Sequence, residues 1–175
     1  MAFWDFFTKA GKNKEKAAML YNSLVGYSRN PTLFTDLGID DTVDGRFDCI
    51  ALHLSLMLRR MKLEGEGLRG MAVELVSVFV MDMDRNLREM GVGDLSVGKH
   101  IKKMTSAFYG RAEAYEKALD IEGDGYLEGV LERNLFRNKK ISKDVLVAMA
   151  KYVYETDKQI KAMKTEDLKE GLFLL

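Results

Sequence analysis

The sequence predicts an all-α protein: a single compact multi-helix domain with a central apolar helix and a conspicuous helix–loop–helix hairpin. Three observations carry that expectation. Apolar residues recur at spacings of three and four over long stretches, most clearly Val97, Ile101, Met104, Phe108, Ala112, Tyr115 and Leu119. Pro31, Gly38, Gly65 and Gly91 interrupt the pattern at intervals that suit helices. Only VELVSVFV, from Val73 to Val80, has the β-branched density of a buried strand. No second comparable run exists to pair with it, and it flows into the helical pattern of Asp82 to Met90.

Taken in order, residues 1–14 form an arm with four aromatics in seven positions, Phe3, Trp4, Phe6 and Phe7, followed by Lys9, Lys12, Lys14 and Lys16. It reads either as an interfacial anchor or as an arm packed on the domain. A helix from about Glu15 to Tyr27 turns Ala18, Met19, Leu24 and Val25 inward. Asn30 and Pro31 start a short helix to Leu37, with proline at the first helical position. Asp41, Thr42 and Asp44 favour the start of the next helix, about Val43 to Lys62, which buries Phe47, Ile50, Ala51, Leu54, Leu58 and Met61. Arg59, Arg60 and Lys62 in its last turn complement the other end of the dipole.

After Gly65 and Gly67, Leu68 to Met83 is the most apolar segment, and it is expected to be the central helix, buried on most sides. Arg69, Glu74 and Asp82 interrupt it, and it falls short of the roughly 20 apolar residues a membrane span needs. Past the hairpin, Gly123, Gly125 and Gly129 mark a looser stretch with a short helix to about Phe136. Ser142 caps a helix to about Met163, with Val145, Leu146, Met149, Val153 and Ile160 inward. Thr165 begins one last turn. No repeat or linker divides the chain.

Composition fits one domain. At 175 residues the chain buries roughly 70% of its unfolded surface. Basic and acidic residues number 27 each, so net charge gives no sign of a nucleic-acid partner. Charge is segregated, however: Glu113 to Glu128 is acidic, and Arg133 to Lys143 holds five bases and no acid. Cys49 is alone on an apolar helix face, which reads as a buried inert thiol in a reducing compartment. The start lacks the pattern of a secretory signal, and the first Arg is Arg29, unlike a mitochondrial presequence. The expected location is the bacterial cytoplasm, with peripheral contact at the inner membrane as an extension of it.

The hairpin spans Asp82 to Leu119. Met83, Leu87 and Met90 recur before a break at Gly91 to Gly93, and Asp94 or Ser96 can cap the helix that follows. The run DMDRNLREMGVGDLSVGKHIKKM, followed by AFYGR and AY, resembles the signature of the ubiquinol–cytochrome c chaperone family, and the likeness extends back through FDCIALHLSLMLRR. It is strongest from Phe47 to Leu119. The resemblance implies an all-α, non-enzymatic assembly factor without a cofactor, acting on newly made cytochrome b. It also implies, as further partners, the ribosomal exit region and a small helical protein. Under that reading the polar face of the hairpin sets client orientation through Arg85, Glu89, Asp94, Lys99, Lys102, Lys103, Tyr109 and Arg111. Met83 and Met90 stand at the edge of a groove whose soft thioethers can repack around apolar clients. The rival reading is a peripheral membrane or ribosome adaptor using the aromatic arm and the Arg133–Lys143 patch.

Catalytic and metal-binding motifs fail on mechanism. GDLSVGKH from Gly93 has phosphate-loop spacing, but His100 stands where magnesium needs Ser or Thr, and a helix precedes it instead of a strand. Ser96 and Lys99 share the spacing of a serine–lysine acyl transferase without its other signatures. DIEGDGYLEGVL from Asp120 imitates a calcium loop, but Leu131 occupies the twelfth position, where a bidentate Glu closes the shell. Asp82, Asp84 and Glu89 could mimic a carboxylate site, but Arg85 and Arg88 neutralise them. His53 has no second histidine nearby and is expected to be satisfied or solvent-facing.

Overall fold

A computed structural model describes residues 3–121, 125–137 and 139–175, with side chains from residue 13 on. The aromatic arm's side chains and Glu122, Gly123 and Asp124 of the calcium-like loop therefore lie outside the described residues. Among the described residues all regular structure is helical: α1 (Phe3–Tyr27), α2 (Thr32–Thr35), α3 (Val43–Glu64), α4 (Glu66–Glu89), α5 (Asp94–Asp120), α6 (Tyr126–Asn134), α7 (Lys143–Ala162) and α8 (Thr165–Lys169).

The helices begin and end for local reasons. Asn30 accepts a hydrogen bond from the Thr32 N–H at 3.1 Å, and Pro31 is already helical, with φ −52. Thr42 caps α3 by accepting from Gly45 N–H at 3.1 Å. Glycine is required at 45, because a Cβ there would come within 2.0 Å of the Asp40 carbonyl oxygen. Ser142 caps α7 through the Val145 N–H.

The central helix is α3. It packs on α1, α4, α5 and α7. Every residue from Asp48 to Met57 is buried. This corrects the expectation for Leu68 to Met83. That segment is helical as expected, but in α4 only Leu68, Met71, Leu75, Phe79, Met83 and Leu87 are buried, and Val73 is 63% exposed. The reason is position: among the described residues α1, α3, α5 and α8 cover α4 on one side and leave its other side open. Met19 is likewise 48% exposed on α1, whose inward residues are Ala17, Leu20, Tyr21 and Leu24.

The polar groups of α3 are buried with partners. Arg59 donates to Asp157 on α7 at 3.0 Å and to Asp120 at the end of α5 at 2.5 Å. Arg60 reaches Glu64, the Met163 carbonyl and Thr165. These arginines thus join helices, beyond complementing a dipole. His53 lies 2.7 Å from the Cys49 carbonyl through Nδ1 and 2.8 Å from the Tyr152 hydroxyl through Nε2. A carbonyl only accepts, so Nδ1 carries the proton and the Tyr152 O–H donates to Nε2. Burial pushes the imidazole down to about 4 and the Cys49 thiol up to about 12, so His53 is neutral and Cys49 is an unreactive thiol.

Candidate partner-binding surface

The hairpin is made by α4, a tight turn and α5. Gly91 adopts φ +82; its N–H reaches the Arg88 carbonyl at 2.9 Å, and the Val92 N–H reaches Leu87 at 3.0 Å. This pair of bonds satisfies the last carbonyls of α4 and turns the chain sharply. Gly93 takes the capping position of α5 without a side-chain bond, so neither Asp94 nor Ser96 caps it. Asp94 instead pairs across the turn with Arg88, which also holds Asp84 at 2.7 Å. The Ser96 carbonyl is taken by His100 Nδ1 at 2.9 Å. GDLSVGKH thus forms the first turns of a helix and cannot wrap a phosphate as a loop does.

The apolar stripe of α5 faces the core. Val97, Phe108, Tyr115 and Leu119 are buried and Ile101, Met104 and Ala112 half-buried. Opposite them, Lys99, Lys102, Lys103 and Ser106 are exposed. None of these lysines takes part in an ion pair among the described residues. Tyr109 on the same helix and Met90 at the turn are both more than half exposed. Arg85 is exposed, held to Asp82 at 2.5 Å and more loosely to Glu89 at 4.0 Å.

Two expected surface residues point inward. Met83 is buried in the core, because it follows Leu75 and Phe79 along the covered side of α4. Arg111 turns its guanidinium onto the buried Asp48 carboxylate of α3. Asp82, Asp84 and Glu89 are taken by arginines, and no group of His, Cys, Asp and Glu among the described residues is arranged to hold a metal.

A second feature was not read from the sequence. A groove of about 420 Å³ lies between the segment before and within α3 and the segment after α6, lined by Asp40, Val43, Asp48, Phe136, Arg137 and Lys139, among others. Asp48, 1% exposed, accepts from Arg111 and, at 2.7 Å, from Arg137 Nε. Arg137 also reaches Asp44 at 2.6 Å, and Lys139 meets Asp40. Arg137 has φ +53, alone among the described non-glycine residues in the left-handed region. A conformation that disfavours a side chain persists only where contacts impose it, and these ion pairs do. The signal was present as an acidic run at 40–48 facing a basic run at 133–143. Within the acidic run at 113–128, Glu113 pairs with Lys117, Glu116 with Lys62 and Asp120 with Arg59.

Among the described residues no helix is long and apolar enough to cross a membrane. The family model described as ubiquinol-cytochrome C chaperone matches residues 35–175. A solved structure, the Cbp3 homolog from Brucella abortus, superposes with a TM-score of 0.82 at 32% identity, covering 98% of this chain and 94% of that one. The ubiquinol-cytochrome c reductase complex assembly factor 1 of Mus musculus is 28% identical over 90% of this chain, and that of Xenopus laevis 26% over the same share. The chain spans 53% of the mouse protein and 78% of the frog protein.

Proposed function

Since the chain belongs to the ubiquinol-cytochrome C chaperone family, we propose that it is a non-enzymatic assembly chaperone for ubiquinol–cytochrome c reductase, and that its client is newly made cytochrome b. The observation that supports this beyond kinship is the hairpin's outer face. Lys99, Lys102 and Lys103 stand in water without ion-pair partners among the described residues, beside Tyr109 and close to the turn that carries Met90. The α5 stripe opposite them is needed for the core, so this face is spare for a partner. Arg85, Glu89 and Asp94 complete its polar rim and orient the client, while Arg111 and Met83 support the hairpin from within. The protein works in the cytoplasm of a bacterium, at the inner-membrane surface where its client is inserted, near the ribosomal exit and with or without a small helical partner.

The adaptor reading loses ground at its basic patch. Arg137 and Lys139 are bound to Asp44, Asp48 and Asp40, which leaves that segment with far less free charge than its composition suggested.

The test is Lys102→Glu together with Lys103→Glu. Exposed substitutions on a face with no internal contacts change stability by less than about 0.5 kcal/mol. The variant is expected to fold normally yet reduce assembled cytochrome bc complex in cells, with a binding defect that is largest at low salt and shrinks as salt screens the rim charge that speeds association. Normal levels of the complex in cells carrying the soluble variant would remove this face from the mechanism.

A further inference from the structure

Helices α1 and α4, which pack on each other more extensively than any other pair, share a property that the lysine-bearing face lacks. From Ala17 to Tyr27, α1 carries no charged residue, and from Gly70 to Met81, α4 carries only Glu74. Such stretches normally belong to helices buried on most sides. Among the described residues each is covered on one side only. On α4, Gly70, Val73, Ser77 and Met81 follow one another at helical spacing and all are exposed, Val73 at 63% and Met81 at 53%. Met19 and Gly26 are exposed on α1. Twelve residues of α4 make a strip roughly 18 Å long at 1.5 Å per residue.

Charge decides what can lie there. The strip is bounded by Arg69 at one end and by the Asp82–Arg85 and Asp84–Arg88 pairs at the other, with half-buried Glu74 at its margin as the one charge between. A partner carrying several charges would lose water with only Glu74 to answer them, whereas an uncharged one has no charge to desolvate. The small residues add a steric statement. A Cβ built at Gly26 or Gly70 would meet no atom within 4 Å, so neither glycine is required by the packing of this chain. Small side chains on an exposed helix face let a second helix approach closely.

We propose that the outer strip of α4, flanked by α1, docks one uncharged apolar helix of another polypeptide, of the kind a membrane protein carries before insertion. The proposal rests on the chaperone reading and gives the client's apolar segment a face distinct from the lysines of α5, which would take its polar flanks.

The probe is a 20-residue leucine–alanine helix, fluorescently labelled and kept soluble by a polyethylene glycol tag, titrated with the full chain in lipid-free buffer. Wild-type protein is expected to bind it. Val73→Glu with Ser77→Glu should weaken binding at least tenfold, while Lys158→Glu, on the exposed side of α7, should leave it unchanged. Gly70→Gln provides an uncharged second variant, which blocks close approach without touching the core and should also weaken binding. Equal affinity in wild type and both strip variants overturns the proposal. So does sedimentation of the wild type as a dimer that the strip variants split, because the occupant is then a second copy of this chain. Cells separate the two readings. Lost peptide binding with normal cytochrome bc complex keeps the strip as a docking site and removes the chaperone reading; intact binding with lost complex does the reverse.

Discussion

Helices α3 and α4 are consecutive, similar in length and opposite in character. By sequence α4 should be the interior helix, since Gly70 to Met81 holds one charge in twelve residues. Yet it is α3, carrying Asp48, His53, Arg59 and Arg60, that is buried almost all round. The difference lies in neighbours. The four helices around α3 cover it on all sides, and Asp48, His53, Arg59 and Arg60 each find partners there or nearby. Around α4 the bundle ends. Hydropathy reports what a helix can tolerate; the arrangement of partners determines what is covered.

The comparison is broken most severely at the Arg59–Asp157 pair, whose side chains are both 8% exposed. Removing one partner leaves a charge in the dry interior, which typically costs about 3–5 kcal/mol. Asp157→Ala should lie at the lower end, because Asp120 remains on Arg59. Urea denaturation measures it, and a loss under 1 kcal/mol would mean that α3 tolerates unpaired charge as α4's margin does.

Next in size is a pH effect from the same helix. His53 titrates near 4 when folded, held down chiefly by burial, against about 6.5 when unfolded. The unfolded chain therefore takes up the proton first. Stability from this group is complete above about pH 6.5 and drains away as pH falls towards 4, by about 3 kcal/mol in all. Melting temperatures between pH 7 and pH 4.5 should show this slope, and His53→Gln should flatten it. An unchanged slope in that variant would assign the acid limb to the carboxylates.

The smallest effect belongs to α4 and has the opposite sign. An alanine at Gly70 adds a Cβ in open space inside a helix, and should stabilise the protein by roughly 1 kcal/mol through propensity alone. Destabilisation would show that the outer line of α4 is packed in solution.

The all-helical class, the caps at Thr42 and Ser142, the α5 stripe and the hairpin were legible because each depends on local spacing or on one side chain meeting a nearby N–H. The inward turn of Arg111 was not legible, since its partner Asp48 is 63 residues away. Arg59 was read only as complementing its helix dipole, and Arg137 and Lys139 as part of a basic patch, for the same reason. Met83 was read as groove-lining because periodicity places it on the Leu87 face without saying whether that face meets core or water. Only the lysines of α5, opposite a stripe too long to leave bare, could be assigned to the outside from sequence.

Asp48 has a consequence for how the molecule comes apart. Its carboxylate is reached by Arg111 of α5 and by Arg137 beyond α6, residues 63 and 89 positions away. Three remote segments must all have arrived before this carboxylate has the full set of contacts it holds when buried. The same holds in reverse. The segment carrying Arg137 lies at the surface and would ordinarily fray on its own, but lifting it strips a contact from a carboxylate that water cannot reach. Its opening therefore costs more than the fraying of an exposed loop, because it removes one of the two arginines that hold Asp48.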